Sequence, residues 1–152
     1  MLNTLADLVN KNLECVFSIF VVDPLPFGMH CEDDTSLAPV QSEKFETFSD
    51  LESFVRSIYI DSEADALLYG DRARYLDFEG VFCIDMKELF GVGYYINWDN
   101  SRISIENQTE QECRFSVTAQ EIDITDQTSE DIDFDFHAIN VNGSWKLSKL
   151  VY

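Results

Sequence analysis

The sequence predicts an α+β fold: N-terminal helices packed on a curved antiparallel sheet of about five or six strands, as a single domain over residues 1–152. Three observations carry this. Apolar residues recur at three- and four-residue steps in the first 70 positions. From Arg74 onward the period becomes two. The helices come first and the strands follow in a run, with no helix–strand alternation of the parallel-sheet kind. A chain of 152 residues fits one domain, since domains commonly hold ~100–200 residues. The 12 Phe, 6 Tyr and 2 Trp are ample to fill the space between sheet and helices.

Leu2 to Val22 reads as one long helix. Leu2, Leu5, Val9, Leu13, Val16 and Phe20 form an apolar stripe, widened by Leu8, Phe17 and Ile19. Asp23-Pro24 ends it, because the residue before a proline is pushed out of the helical region. Residues 23–38 are a loop, and a short strand is expected around Pro39–Phe45. A second helix starts at Ser49, where Ser49-Asp50-Leu51-Glu52 matches a capping box and Phe48 acts as a staple. Leu51, Phe54, Val55 and Ile58 face inward. A third helix runs from Asp61 to Tyr69 and stops at Gly70.

Tyr75-Leu76 enters a strand, Glu79-Gly80 turns, and Val81–Met86 returns. Residues 87–101 form a long loop. Strands follow at Ile103–Ile105 and Cys113–Ile124. Then Ile132, Phe134, Phe136 and Ala138 alternate with Asp131, Asp133 and Asp135, the pattern of a half-buried strand with carboxylates facing out. Asn142-Gly143 is a hairpin turn, favoured because both positions need positive φ. Trp145–Tyr152 completes the sheet.

The charge excludes several functions. Twenty-nine acidic residues against 10 basic ones leave a formal net charge of −19. Such a surface repels nucleic-acid phosphates and anionic lipid, so neither direct nucleic-acid binding nor membrane binding is expected. A basic protein partner or simple solubility remains. Cys15, Cys31, Cys83 and Cys113 form no C-x-x-C pair, which removes zinc-ribbon and thioredoxin-type readings; reduced structural thiols are expected. The apolar run Val16–Val22 is too short to span a bilayer and has the wrong flanks for an export signal. The chain as written is expected to stay where it is made, in the cytoplasm, or in the envelope if a leader precedes it.

Candidate partner-binding residues fall in two groups. Phe90, Tyr94, Tyr95 and Trp98 lie in an aromatic segment with Gly91 and Gly93, and are residue types that anchor interfaces. The ordinary alternative is that some of these rings roof the core. Asp123, Asp126, Glu130, Asp131, Asp133 and Asp135, with Glu121, form an acidic stretch; no Lys or Arg occurs between Phe115 and Trp145. It would serve as a docking surface or as a solvated outer face that blocks aggregation. A calcium loop is excluded, since counting from Asp123 places Thr128 sixth and Phe134 twelfth. His30-Cys31 and His137 lack the arrangement of a thiol catalyst. Asp85 or Asp99 with Tyr94 or Tyr95 have no spacing that demands proton-transfer chemistry. No catalytic motif, cofactor or metal site is expected.

Short segments resemble a known family. They are Phe48-Ser49-Asp50-Leu51-Glu52 with Val55 and Ile58-Tyr59, and Tyr75-Leu76 through Glu79-Gly80-Val81-Phe82-Cys83-Ile84. Gly93-Tyr94, Trp98-Asp99 and Asn142-Gly143-Ser144-Trp145-Lys146-Leu147 complete them. Together they resemble bacterial proteins of the DL-endopeptidase inhibitor family, on a nuclear transport factor 2-like or cystatin-like cone. The resemblance implies a monomeric, non-enzymatic acidic protein that docks on a cell-wall hydrolase and blocks its Cys/His site. The other expectations are a cytoplasmic nucleic-acid mimic that occupies a nucleic-acid-binding protein, and a small-molecule-binding or isomerase-like cone.

Overall fold

The computed structural model describes residues 1–29, 36–87 and 94–152. Among these, the order is helix α1 (Leu2–Cys15), strand β1 (Leu37–Pro39), helices α2 (Phe48–Ile58) and α3 (Asp61–Leu68), then strands β2 (Tyr75–Phe78), β3 (Val81–Asp85), β4 (Ile96–Gln108), β5 (Glu112–Asp123), β6 (Thr128–Val141) and β7 (Ser144–Leu147). The fold is α+β with N-terminal helices and antiparallel sheets. The strands form two sheets, one of three in the order β1-β3-β2 and one of four in the order β4-β5-β6-β7. The single sheet of five or six strands expected from the sequence is thus divided. The division falls between β3 and β4: β3 takes β1 as its second neighbour, at Ala38–Ile84 and Pro39–Cys83.

Helix α1 runs only to Cys15, and Val16–Phe20 widens into a π-helical turn. The widening has a visible partner. The Tyr75 hydroxyl donates to the Ile19 carbonyl at 2.5 Å and accepts the Leu25 amide at 3.0 Å. One side chain from β2 therefore satisfies two backbone groups that no regular helix serves.

The start of α2 differs from the sequence expectation. Thr47, not Ser49, is the N-cap: its hydroxyl accepts the Asp50 amide at 3.1 Å, and Asp50 Oδ2 accepts the Thr47 amide at 2.9 Å. The box is shifted two residues earlier because Phe48 is buried in the first turn, with its ring 6.2 Å from Phe82 and 5.6 Å from Tyr69. Ser49 is exposed. The expected strand at Pro39–Phe45 also shortens and moves. Leu37–Pro39 pair with β3, and Val40 N–H adds one bond to the Phe82 carbonyl at 2.9 Å. Beyond Pro39, Gln41 N–H turns to the Pro26 carbonyl (2.6 Å), and the Ser42 hydroxyl takes the amides of Lys44 and Phe45.

Both expected tight turns form. Glu79-Gly80 has φ of 53° and 84°, and Asn142-Gly143 has 52° and 88°. These left-handed values explain glycine at the second position of each turn.

One hydrophobic cluster joins both sheets to the helices. Leu5, Val9, Val16 and Ile19 come from the N-terminal segment, Leu51, Val55 and Ile58 from α2, Tyr75 and Ile84 from the smaller sheet. Phe115, Val117, Phe136 and Leu147 come from the larger one, and Phe115 stacks on Phe136 at 5.2 Å. Helix α2 and the residue after it touch both sheets, since Phe48 meets Phe82 and Tyr59 bridges to Leu147. Its far end is tied to the C-terminal residues by a buried polar knot. Asn12 Nδ2 donates to the Val151 carbonyl (2.7 Å), while its Oδ1 accepts Tyr59 O–H (2.9 Å) and Val151 N–H (3.1 Å). Cys15, Cys83 and Cys113 are buried. Burial pushes the Cys15 thiol up to about 12, so it is inert as a nucleophile at neutral pH.

Candidate partner-binding surface

The acidic stretch occupies one long β-ribbon, β5 paired with β6 over twelve positions from Glu112–Ile139 to Asp123–Thr128. Successive side chains on a strand point to opposite faces, so the ribbon sorts its carboxylates into two sets. Cys113–Ala138, Phe115–Phe136, Val117–Phe134 and Ala119–Ile132 are the pairs of the inner face. Continuing that face toward the turn gives Glu121–Glu130 and Asp123–Thr128. The outer face carries Arg114–His137, Ser116–Asp135, Thr118–Asp133 and Gln120–Asp131. The stretch that reads as one acidic run is therefore two surfaces. One is a row of aspartates on the outer face; the other is a carboxylate group at the ribbon's tip, where the inner face leaves the core.

The outer row is partly answered. Arg102 Nη2 bonds Asp131 at 2.9 Å, and the Thr118 hydroxyl donates to Asp133 at 2.5 Å. Asp135 has no bonded partner among the described residues. His137 Nε2 lies 3.0 Å from Glu112 on the same face. Arg102 and Asp131 are solvent-exposed, so their ion pair contributes at most ~1 kcal/mol.

At the tip, no Lys, Arg or His among the described residues pairs with a carboxylate. Glu121 and Glu130 are directly opposed, and like charges so placed are mildly destabilising. Asp123 shapes the turn instead: its Oδ1 accepts the amides of Thr125 (2.8 Å) and Asp126 (3.3 Å). Gln127 follows with φ of 55°. Asp126 is exposed in that turn. A cleft of about 450 Å³ is lined here by Tyr95, Glu121, Ile122, Asp123, Ile124 and Glu130, with Thr125 and Thr128.

The aromatic group divides. Trp98 is only 8% exposed, its ring 4.6 Å from Phe134. Its Nε1 donates to the Tyr94 hydroxyl at 3.1 Å, and Tyr94 meets Phe17 edge-on at 5.0 Å. Burial raises the Tyr94 phenol above its ordinary value, partly offset by the bond from Trp98. These two rings close the core between α1 and the larger sheet. Tyr95 points the other way and is 51% exposed. Its carbonyl accepts Ile122 N–H at 2.8 Å, which makes the two residues cross-strand neighbours. Phe90, Gly91, Gly93 and the His30-Cys31 pair lie outside the described residues.

Two residues of the tip escaped sequence reasoning. Ile122 and Ile124 are 39% and 63% exposed. The signal was present: along β5 the buried apolar residues are Cys113, Phe115, Val117 and Ala119, all odd-numbered, whereas Ile122 and Ile124 are even-numbered. The alternation slips by one phase after Gln120, placing isoleucines where polar residues stand earlier in the strand.

Among the described residues no group of three or more His, Cys, Asp or Glu is arranged to hold a metal ion, and no helix is long and apolar enough to cross a membrane. A scan against protein-family models finds no match, and a search of curated proteins finds no significant match.

Proposed function

We propose that the protein is a non-enzymatic binding module that engages a basic protein through the β5–β6 ribbon, with inhibition of a cell-wall DL-endopeptidase as the leading case. The observation that carries this is the ribbon itself. Between Phe115 and Trp145 it has seven carboxylates and no Lys or Arg. Charges of one sign on an extended surface steer an oppositely charged partner and accelerate its capture. The resemblance to the endopeptidase inhibitors and their cystatin-like cone adds the class of partner. The division of the ribbon supports it as well, since its inner face joins the core through Phe115, Val117 and Phe136 while its outer face stands free to act as a surface.

Nucleic-acid mimicry is the second reading, favoured by the regular row Asp131, Asp133, Asp135. Alternate residues on a strand stand ~6.8 Å apart, whereas each DNA strand carries one phosphate per ~3.4 Å of axis. One row therefore supplies about half the linear charge of one strand, which makes mimicry the weaker reading. A small-molecule role has less support, because the space between helices and sheets is filled by Phe115, Phe136, Leu51 and Val55.

The test is to titrate the protein into purified basic DL-endopeptidases and follow both binding and peptidoglycan hydrolysis. Binding should weaken as NaCl rises from about 0.05 to 0.5 M, because the Debye length shrinks severalfold over that range. Association indifferent to salt would remove the electrostatic reading. Competition by duplex DNA for a nucleic-acid enzyme bound to the protein would favour mimicry.

A further inference from the structure

Among the described residues, β1, β2, β4 and β7 are the outer strands of the two sheets, and their free edges differ. β1 carries Pro39, which has no N–H to offer, and its carbonyl already accepts Gly28 N–H at 2.8 Å. β7 is covered where Ile60 N–H bonds the Leu147 carbonyl at 3.0 Å. β4 is interrupted by register shifts at Asn97/Arg102 and Ile105/Asn107. Such devices keep an edge from accepting another strand. β2 has no proline, lysine or register shift.

The edge of β2 is also chemically open. Asp85 N–H donates to the Arg74 carbonyl at 2.7 Å, so Arg74 and Asp85 form a hydrogen-bonded pair. Alternation along an antiparallel ladder then turns the backbone groups of Tyr75 and Asp77 away from β3. No described residue bonds them. They open on a groove of about 440 Å³ that runs along residues 73–77 and is walled on the helical side by Phe48, Leu68 and Tyr69. Tyr69 is 61% exposed, and its hydroxyl donates to Glu52 at 3.1 Å.

We propose that this edge accepts an extended segment of a partner protein as an added antiparallel strand. Tyr75 and Asp77 each offer a donor and an acceptor, which an antiparallel neighbour answers in pairs. The segment reads basic-x-apolar. Its basic residue stands opposite the exposed Asp77, and its apolar residue stands opposite Tyr75, against Phe48, Leu68 and Tyr69. The middle residue falls on the other face, opposite Leu76 and beside the exposed Phe78. One strand serves both faces because its side chains alternate. Opposite charges across a ladder are favourable and like charges are not, so Asp77 selects Lys or Arg. A second copy of the chain is a poor occupant, since it brings a net charge of −19 and its own Asp77. This surface is separate from the β5–β6 ribbon and does not depend on it.

The peptide Ser-Val-Lys-Val-Leu-Ser, capped at both ends, tests this at about 0.15 M NaCl, where attraction to the acidic surface is screened within ~8 Å. Amide hydrogen exchange of the protein should slow at Tyr75 and Asp77 on binding. The same peptide N-methylated at Lys and Leu, whose N–H groups face β2, should bind at least about fivefold more weakly. Glu in place of Lys should weaken binding about threefold, and Asp77→Asn should erase that difference. Asp77→Pro removes an N–H that β3 does not use and should abolish binding, with circular dichroism checking the fold. Equal binding of the N-methylated peptide to the natural chain would overturn the assignment. So would amide shifts confined to residues 121–135, or no binding at millimolar peptide. Protection of Tyr75 and Asp77 that grows with protein concentration alone would place a second copy on the edge and overturn the partner assignment.

Discussion

The Tyr59 hydroxyl donates to Asn12 Oδ1 at 2.9 Å in a fully buried site, and the same oxygen accepts the Val151 amide. Three parts of the chain meet on one carboxamide: α1, the residue after α2, and the C-terminal residues. Asn12→Ala leaves the Tyr59 hydroxyl and both Val151 backbone groups without their partner. Each orphaned buried group costs ~1–3 kcal/mol, and some will recover a partner by relaxation. A loss of about 2–4 kcal/mol is expected in urea unfolding. A loss under about 1 kcal/mol would show that water or a rearranged tail replaces the amide.

Alkaline pH should destabilise the fold through buried acids. Burial is the chief cause raising Cys15, from 9.0 to about 12. It likewise raises Tyr59 well above 10.0 and pushes Tyr75 up. Well below pH 9 these groups are protonated in both states and contribute no pH dependence. Above it the unfolded chain releases protons that the folded chain retains, so stability falls as pH rises. Each such group adds a slope of up to ~1.4 kcal/mol per pH unit. Cys15 acts between pH 9 and about 12. Urea midpoints at pH 8 to 11 should fall for the natural chain and fall less steeply for Cys15→Ala.

The cap of α2 gives a sharp pair of variants. Thr47→Ala removes the bond to the Asp50 amide and should cost about 1 kcal/mol. Ser49→Ala, on an exposed residue of the first turn, should change stability by less than ~0.5 kcal/mol. The reverse order would restore Ser49 as the cap.

Added salt should stabilise the protein. Surface pairs such as Lys11–Asp7, Arg56–Glu52 and Arg102–Asp131 are each worth ~0–1 kcal/mol and are weakened by salt. Against them stands the self-repulsion of a chain with net charge −19. A thermal midpoint that rises between low and moderate NaCl shows repulsion prevailing; a falling midpoint would show that the pairs matter more.

Much of the local structure was legible in the sequence because each feature has a short-range cause. The alternation from Ile132 to Ala138, the Asn142-Gly143 turn and the helical stripes of α1 and α2 each sit within a few residues. What was not legible depends on distant partners. The π-helical turn at Val16–Phe20 is served by a hydroxyl 56 positions away. The cap moved to Thr47 because Phe48 is buried against Phe82. The division of the sheet follows from β1 pairing with β3. For the candidate site, composition revealed the acidity but not its division between two faces, which follows from register. The burial of Trp98 under Phe134 is a tertiary event with no local mark.

The knot around Asn12 has a consequence for how the chain is made. Its bond to Val151 spans 139 residues. At ~5–20 residues per second of synthesis, that interval lasts roughly 7–28 s. Throughout it, the apolar stripe of α1 has emerged without the groups that finally lock it. Helix α1 is thus made well before the residues that secure it. A long-range closure of this kind slows folding, and the waiting stripe is where a chaperone would hold the nascent chain.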